Sequence, residues 1–315
     1  MVYCFLGIDT SAYTSSVAVI DECQQVVWES RRLLEVPLGE RGLAQSEALF
    51  QHIQVLPKLI NLVPQDIWSK IEGIGVSTSP RPVEGSYMPV FTAGLAIASS
   101  LASGLRVRLV STSHQEGHLA VGALEGLLAP DFLAVHISGG TTELLKVRKT
   151  TLGKYDLQIL GGSTDLHAGQ FIDRVGVRLG FSFPAGKELE KLALKAAPGS
   201  ASLLPSSVKG YEMSFSGVET AVQRMIERKK RPADLARAVE GCIVRTIFKV
   251  LERAIEDTGL SEILIVGGVA SNRYIRNELD KKFNNQARLY WAKPELSSDN
   301  AIGVALMTRE ALMTN

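Results

Sequence analysis

The sequence lacks the features that would assign it at once to several common classes. Its three cysteines, Cys4, Cys23 and Cys242, are odd in number and share no metal-ligand spacing, so neither a disulfide framework nor a cysteine metal site is predicted. The net charge of the 315 residues is only +1, which does not predict a strong electrostatic attraction to nucleic acid. We interpret the dense basic cluster at residues 228–231 as a solvated loop after a helix, with a nucleic-acid contact as the alternative.

Long apolar runs are also scarce. Residues 85–105 carry no charge and are numerous enough to cross a bilayer, but they contain many Ser, Gly and Ala residues and few large apolar ones. We therefore predict a loop followed by a helix buried between layers, and no membrane span. A strand-like segment follows Met1 directly, so no signal peptide is predicted, and the expected location is a reducing cytoplasm.

What the sequence does contain is an internal repeat. Residues 5–20 and 132–147 each consist of a hydrophobic run, a small polar turn and a second hydrophobic run, at an offset of 127 positions (132 minus 5). Two such runs joined by a short turn are typical of a β-hairpin. The residues that coincide at this offset are Phe5 and Phe132, Leu6 and Leu133, Ser11 and Ser138, and Thr14 and Thr141. The predicted hairpins join 5–9 to 15–21 and 132–137 to 142–148.

The order of predicted elements repeats as well, and the length suits two domains. A hairpin, a helix, a strand and a helix are followed by a second hairpin, helices, a strand and a helix. This order predicts an α/β fold of two similar lobes with a cleft between them, the architecture of the actin, sugar-kinase and heat-shock ATPase superfamily. We assign residues 1–126, completed by a C-terminal helix at 298–315, to the first lobe, and residues 127–297 to the second.

The small residues in the two turns favour a ligand in that cleft. They leave backbone N–H groups free to approach an anion, so the matched pair favours an adenine nucleotide, whereas either hairpin alone is a plain tight turn. Two helices are also predicted: helical spacing over 43–63 with an interruption at Pro57, and a long amphipathic helix over 233–257 that Gly259 ends.

The stretch "HQEGH" places His114 and His118 at i and i+4, on one face of a helix and within reach of one ion. It differs from the zinc-protease pattern because Glu116 stands in the middle. Two histidines usually need a third ligand, often a carboxylate, and Asp299 in "SSDNA" is the candidate. The alternative is a pair of surface histidines with Asp299 as a helix cap.

Two other motifs have both a structural and a functional interpretation. In "LIVGGVASN", Gly267 and Gly268 permit close backbone approach and Asn272 can donate and accept hydrogen bonds, with a plain strand–helix turn as the alternative. In "SFSGVET", Ser216 and Glu219 have the spacing of a capping box, which we favour over direct catalysis.

Taken in order, the motifs resemble the tRNA threonylcarbamoyladenosine transferase family, whose members were formerly described as O-sialoglycoprotein endopeptidases. The stretches that carry the resemblance are "LGIDTS", "HQEGH", "ISGGTTEL", "GQFIDRVGVRLGFSFPAGKELEKLA", "SFSGVETAV", "GGVASNRYIR" and "SSDNA". They run over nearly the whole chain. No nucleophile–base pair or zinc-protease motif is evident, so the sequence does not support a protease.

The resemblance implies an actin-like fold and one divalent metal ion, iron or zinc, held by His114, His118 and Asp299. That ion would touch a threonylcarbamoyl adenylate, whose acyl group is transferred to N6 of the adenosine beside a tRNA anticodon. On local evidence Asp173 and Gly186 are only a helix residue and a turn residue. With the Gly267–Gly268 pair, the expected adenylate-binding residues are His136, Ile137, Ser138, Gly139, Gly140, Asp173, Gly186 and Asn272.

The chain also departs from the family pattern. Tyr13 and Thr14 replace an acidic pair at the first turn, Thr141 replaces a His, Gln170 a Glu, and Glu219 a Lys. The usual G-P-G loop reads "SPRPVEGS". These changes predict a divergent paralogue that modifies tRNA poorly alone and acts with a family partner protein or as a homodimer.

Two other functions stay open from the sequence. One is a non-catalytic scaffold that binds nucleotide and metal and pairs with a family partner. The other is a small-molecule kinase, in which Asp9, our candidate catalytic carboxylate, would orient the acceptor near the γ-phosphate. A kinase would leave the paired histidines unexplained. The sequence does not decide the metal, the acceptor or the partner.

Overall fold

The structure, a computed structural model, describes residues 3–11, 13–37, 39–40, 42–124, 126, 129–150, 154–297 and 301–313. Its strands are β1 (Cys4–Asp9), β2 (Thr14–Asp21), β3 (Val26–Leu33), β4 (Ile71–Ser79), β5 (Arg108–Ser113), β6 (Asp131–Ile137), β7 (Thr142–Lys149), β8 (Tyr155–Gly162), β9 (Ser207–Lys209), β10 (Glu212–Ser214), β11 (Glu262–Val266) and β12 (Arg288–Trp291). Its helices are α1 (Gln45–Ile60), α2 (Gln65–Trp68), α3 (Phe91–Leu105), α4 (His114–Ala123), α5 (Ala168–Arg178), α6 (Gly186–Ala193), α7 (Ser216–Glu227), α8 (Pro232–Thr258), α9 (Arg273–Phe283), α10 (Pro294–Ser297) and α11 (Ile302–Met313).

Two five-stranded sheets carry the fold, and they share one strand order. The first sheet has the order β3-β2-β1-β4-β5, and the second has β12-β11-β6-β7-β8, which is the same order read from the other end. In each sheet an antiparallel hairpin lies beside two strands that run parallel to its first strand. The predicted α/β architecture and both predicted hairpins are therefore confirmed.

The predicted long helix is confirmed as α8, and both of its ends have local causes. Pro232 lies in the first turn, where a missing N–H leaves no bond unmade, and Gly259 ends the helix in the left-handed region at φ 68°. Its buried face, which includes Ile243 and Ile247, belongs to the core of the second sheet. The basic residues at 228–231 lie between α7 and α8 and are exposed, as predicted for a solvated loop.

The predicted interruption of the first helix at Pro57 is wrong. Helix α1 continues through Pro57, and the proline carbonyl accepts a hydrogen bond from the Asn61 N–H at 3.1 Å. A proline removes one helical hydrogen bond, but Leu56 and Leu59 beside it are buried in the core of the first sheet. Packing of this face therefore outweighs the local penalty.

The prediction for residues 85–105 is right about the order of elements and wrong about burial. A loop precedes α3, but this helix buries one face only: Phe91 is buried, whereas Leu95 is partly exposed on the other side. A Cβ on Gly94 would lie 2.9 Å from the Thr10 hydroxyl oxygen, so small residues serve close packing on the first sheet. No helix in the described ranges is long and apolar enough to cross a membrane.

Helices α4 and α11 join the two sheets. Gly303 of α11 lies so close to the backbone of Gly117 of α4 that a Cβ at Gly303 would be only 1.9 Å from the Gly117 carbonyl oxygen. Gly122 of α4 contacts Leu264 in the second sheet, and α11 packs on Gly75 in the first. The beginning of α4, which carries the predicted metal ligands, is thereby fixed at the junction of the sheets.

Candidate metal and ligand site

A capping box fixes where the histidine-bearing helix begins. The Ser113 hydroxyl accepts from the Glu116 N–H at 3.2 Å, and the Glu116 carboxylate accepts from the Ser113 N–H at 2.9 Å. Helix α4 therefore starts at His114, and the i, i+4 spacing directs His114 and His118 to the same side. Their Nε2 atoms lie 3.1 Å apart.

A third imidazole joins this pair from the second sheet. His136 lies near the end of β6 and is 1% exposed. Its ring centroid is 4.9 Å from that of His118, and one ligand nitrogen from each histidine lies within 4.8 Å of the others. The resemblance predicted His136 as an adenylate-binding residue, and the sequence did not indicate its contact with His114 and His118, because that contact depends on how β6 meets α4.

Asp9 anchors the first of these histidines. It is fully buried at the end of β1, and it accepts hydrogen bonds from the hydroxyls of Ser11, at 2.5 Å, and Ser77. His114 Nδ1 lies 3.2 Å from Asp9 Oδ2. A carboxylate that holds Nδ1 fixes the ring orientation and leaves Nε2 for a metal ion. Asp9 therefore touches His114 directly, which the sequence did not predict.

The donor set fits a single transition-metal ion. Neutral imidazole nitrogens suit iron and zinc, and three converging protein ligands are typical of a site that keeps a position for substrate. Within the described ranges, His114, His118 and His136 are the one group of three His, Cys or acidic side chains with converging ligand atoms. Asp299, the predicted third ligand, lies outside the described residues.

The turn between β6 and β7 is open. The Ser138 hydroxyl accepts hydrogen bonds from the Gly140 N–H at 3.3 Å and the Thr141 N–H at 3.1 Å. A Cβ added at Gly139 or Gly140 would meet no atom within 4 Å. Because a single hydroxyl holds these two amides, a phosphate oxygen can replace it as their acceptor. Ile137, the last residue of β6 before this turn, is fully buried.

The Gly-Gly turn after β11 brings a second backbone segment to the same end of the sheet. Gly267 has φ 96°, and a Cβ there would lie 2.5 Å from the carbonyl oxygen of Ile137. Gly268 faces open space. Asn272 caps α9 through its Oδ1 and donates from Nδ2 to Glu240 at 2.8 Å, so its amide is oriented by the protein itself.

Asp173 lies in α5, and Gly186 is the first residue of α6, which packs beside it. The Asp173 carboxylate accepts a hydrogen bond from the Ala185 N–H at 2.8 Å, directly before α6 begins at Gly186. Burial raises the pKa of Asp173 to about 6. A carboxyl group that is buried against its preference for water marks a candidate functional position.

Two contacts connect the sheets across the cleft at positions that depart from the family pattern. Tyr13, in the first turn, packs edge to face on Phe183, with ring centroids 5.0 Å apart. Arg81, in the loop after β4, forms an ion pair of 2.6 Å with Glu143 on β7. The Gln115 amide donates to the same carboxylate at 2.9 Å. Tyr13 and Arg81 therefore lie where the two halves meet.

The predicted capping box at Ser216 and Glu219 is wrong. Ser216 already lies in the first turn of α7, and its hydroxyl donates to Asp165 at 2.5 Å, while Glu219 accepts from Gln223. Burial raises the pKa of Asp165, but hydrogen bonds from Ser214, Ser216 and two backbone N–H groups outweigh it and hold this pKa well below its usual range. The Asp165 carboxylate, which is distant in sequence, thus accepts the hydrogen bonds of the free N–H groups at the start of α7.

The structure also contains a serine–histidine pair that the sequence did not predict. Ser15 Oγ and His52 Nδ1 lie 2.7 Å apart, which is within reach for a nucleophile and its base. Both side chains have no exposed surface. No substrate can reach them in this fold, so the pair stabilises the packing of α1 on β2 and lends no support to a protease.

The fold and the site together define a duplicated, actin-like α/β protein with a histidine cluster at the junction of its halves. Solved structures of similar fold include T. kodakarensis HypF, at TM-score 0.61 and 15% identity, where the match covers 98% of this chain and 48% of that longer one. They also include a ROK family glucokinase from Streptomyces griseus, at TM-score 0.56 and 12% identity, covering 98% of this chain and all of the other. These likenesses concern the fold alone.

The chain belongs to the tRNA N6-adenosine threonylcarbamoyltransferase family, whose model matches residues 39–306. The protein of that name from Neorickettsia sennetsu is 31% identical over 98% of this chain and 93% of its own length. Its counterpart from Thermus thermophilus is 30% identical over 96% and 90%. A probable bifunctional tRNA threonylcarbamoyladenosine biosynthesis protein from Methanothermobacter thermautotrophicus is 31% identical over 95% of this chain and 54% of its own. The resemblance seen in the motifs is thereby confirmed, and the chain is a member of a transferase family.

Proposed function

We propose that this chain transfers a threonylcarbamoyl group from threonylcarbamoyl adenylate to N6 of the adenosine beside a tRNA anticodon, in the cytoplasm. The observation that carries the proposal is the cluster of His114, His118 and His136, held between the two sheets next to an open turn of small residues. Family membership supports the same reaction. The proposal needs no protein nucleophile, because the adenylate is already an activated acyl donor.

One iron or zinc ion is proposed to bind the three histidines, with Asp299 as a further ligand. When bound, the ion supplies a Lewis acid that polarises the carbamoyl carbonyl. The chain itself orients the ligands: α4 supplies His114 and His118, and β6 supplies His136. A site built from both halves depends on their relative position, which α4 and α11 fix.

Asp9 is proposed to position His114 and not to touch the acceptor. Its carboxylate is fully buried and already receives two hydroxyl groups as well as facing His114 Nδ1. A second carboxylate role, as the base that orients a kinase acceptor, would require an oxygen that faces the cleft. Asp9 acts on the reaction through the orientation and basicity of His114.

The adenylate is proposed to lie on the second sheet. The amides at Gly140 and Thr141 would exchange the Ser138 hydroxyl for a phosphate oxygen, since Gly139 leaves the approach open. The nucleoside would extend toward the other predicted residues of this half. These residues are Asp173, Gly186, Gly267, Gly268 and Asn272.

A partner is proposed to supply the attraction for tRNA. The net charge of the chain is +1, and counterion release from phosphates normally drives tRNA affinity. The exposed basic residues at 228–231 are too few to replace that attraction. A family partner protein, or a second copy of this chain, would provide the remaining surface.

Reconstitution tests the proposed function. Purified chain receives threonylcarbamoyl adenylate and unmodified tRNA, with and without a candidate family partner, and modified adenosine is measured by mass spectrometry. Modification that requires the metal and increases at least tenfold with the partner supports the proposal. Robust turnover by the chain alone would contradict the need for a partner. The absence of modified adenosine in every combination would favour the non-catalytic scaffold.

A further inference from the structure

Arg81 lies in a loop whose backbone is held by two side-chain hydrogen bonds. Its N–H donates to the Ser86 hydroxyl at 3.1 Å, and its carbonyl accepts from the Ser79 hydroxyl at 2.8 Å. Two side chains thus hold both backbone polar groups of one loop residue, which limits its freedom. The guanidinium is directed from the first sheet toward the second.

The position of Arg81 in the cleft follows from its partner. One oxygen of Glu143 pairs with an Arg81 terminal nitrogen at 2.6 Å, and the other accepts from Gln115, the neighbour of His114, at 2.9 Å. Glu143 stands directly opposite His136 in the β6–β7 ladder, so the two side chains lie on the same face of the sheet. The guanidinium is therefore held beside the histidine cluster.

The ion pair leaves part of the guanidinium unused. Arginine carries five N–H donors, and Glu143 accepts from one of its terminal nitrogens. The Arg81 Nε atom is buried and has no hydrogen-bond acceptor among the residues that the structure describes. A buried donor without an acceptor is rare in folded proteins, and it requires a physical reason. The side chain as a whole is 36% exposed, so a ligand in the cleft can reach it.

The positive charge of Arg81 extends beyond its partner. The pKa of His167, which precedes α5 in the second half, is lowered first by burial and then by the charge of Arg81. The charge of Arg81 therefore acts on a residue of the second half as well as on Glu143. An anion placed between Arg81 and the histidine cluster would be attracted.

We propose that Arg81 is a specificity residue that binds the carboxylate of the threonylcarbamoyl group. This inference rests on the proposed function, because the acyl group of that donor carries both the carbonyl that belongs at the histidine cluster and a free carboxylate. A planar guanidinium matches a carboxylate through two parallel hydrogen bonds. The phosphate has other donors, the amides of Gly140 and Thr141 on the second sheet, whereas Arg81 approaches from the first. Glu143 orients Arg81 and partly neutralises it while the site is empty.

Calorimetric binding to the metal-loaded protein tests this role with three probes. These are threonylcarbamoyl adenylate, the analogue in which 2-hydroxypropylamine replaces threonine and so removes the carboxylate, and AMP. For Arg81→Met we expect affinity for the first probe to fall about tenfold to hundredfold, with affinity for the other two unchanged. Arg81→Lys keeps the charge and loses the paired geometry, so its affinity for threonylcarbamoyl adenylate should lie between those of the unaltered chain and Arg81→Met. An equal fall for AMP would assign Arg81 to the phosphate and overturn the proposal.

Glu143→Gln distinguishes binding of the substrate carboxylate by Arg81 from a purely structural role of the Arg81–Glu143 ion pair between the sheets. If Arg81 binds the carboxylate, removing the competing charge of Glu143 should increase affinity for threonylcarbamoyl adenylate severalfold. If the pair only holds the cleft closed, Glu143→Gln and Arg81→Met should change affinity in the same direction, which would overturn the proposal. Arg148→Met is the matched control, since Arg148 forms a similar but exposed ion pair with Asp131.

The wild-type result separates this inference from the proposed function. If the unaltered chain binds threonylcarbamoyl adenylate no more tightly than AMP, the proposed function fails, and the inference fails with it. If the unaltered chain prefers the acylated probe and Arg81→Met keeps that preference, only the role of Arg81 is overturned.

Discussion

The two hairpin turns occupy equivalent places in the two sheets, but their residues differ in burial and in hydrogen bonding. In the first, Asp9 and Ser11 are buried and hydrogen-bonded to each other, and Asp9 faces His114. In the second, Gly139 and Gly140 face open space. A duplicated scaffold therefore presents one closed, polar turn that positions a proposed metal ligand and one open turn that we propose receives an anion.

The repeat also explains how the histidine cluster is assembled. At the offset of 127, position 9 corresponds to position 136 (9 plus 127), so Asp9 and His136 are equivalent residues of the two sheets. Both lie against the histidines of α4, one from each side. One supplies a carboxylate to His114 and the other supplies an imidazole beside His118. This pair of equivalent positions therefore contributes different side chains to the two sides of the site.

The largest expected effect comes from removing one histidine of the cluster that lies between the two turns. His118→Ala should reduce bound metal from one ion per chain to almost none, because two imidazoles without the third leave an incomplete site. Metal content is measured on protein purified without chelator. His167→Ala, a half-buried histidine outside the cluster, is the control and should keep its metal. Equal metal in both variants would refute the site.

The role of the closed turn is tested by Asp9→Asn. The amide can still accept from His114 but carries no charge, so metal affinity should fall about tenfold to hundredfold while the fold is retained. Competition with a chelator of known affinity measures the change. Ser11→Ala keeps the carboxylate and should have a much smaller effect. Unchanged affinity in Asp9→Asn would remove the positioning role of Asp9.

The open turn is tested by Gly139→Val. A larger side chain meets no neighbour in the free protein, so thermal stability without ligand should hardly change. Stabilisation by an adenine nucleotide, about 2.7 kcal/mol at a hundred times the dissociation constant, should be lost. Gly267→Ala is the contrasting variant: it should lower stability even without ligand, because Gly267 has positive φ and packs on Ile137. Normal nucleotide stabilisation of Gly139→Val would argue against phosphate at this turn.

A smaller effect is expected on the pH dependence of stability, where Asp173, whose charged form is disfavoured by burial, should differ from Asp165, whose charged form is stabilised by hydrogen bonds. Because the native pKa of Asp173 is raised to about 6, the native state binds this proton more tightly than the unfolded chain does. Stability is therefore lowered as pH rises from about 4 to above 6. Asp173→Asn should increase the free energy of unfolding by about 2 kcal/mol at pH 8 and leave it unchanged below pH 4.

Asp165→Asn is the matched comparison for this pH profile. Its carboxylate has a pKa held below the usual range by hydrogen bonds, so its contribution is present above the unfolded pKa and lost in acid. The substitution should therefore lower stability at neutral pH, the opposite sign to Asp173→Asn. Urea unfolding across the pH range measures both. The same sign in both variants would contradict the assigned environments.

Local patterns in the sequence determined much of the fold. Alternating and continuous apolar runs around small turns specified both hairpins, and the end of α8 at Gly259 followed from the backbone freedom of that residue. The i, i+4 spacing placed His114 and His118 on one face before any tertiary contact was considered. The order of elements was sufficient for the duplicated architecture. Local rules failed where packing outweighed them, as at Pro57 in α1.

Only the tertiary structure decided which distant residues meet. His136 joins the histidines of α4, Asp9 anchors His114, and Arg81 reaches Glu143, and each contact joins separate elements of the fold. Their meeting depends on the register of β6 against β7 and on the close packing of glycines between α4 and α11. Sequence periodicity reports which face of an element is buried, because that depends on near neighbours along the chain. It does not report what that face will be buried against, because this depends on how whole sheets and helices pack.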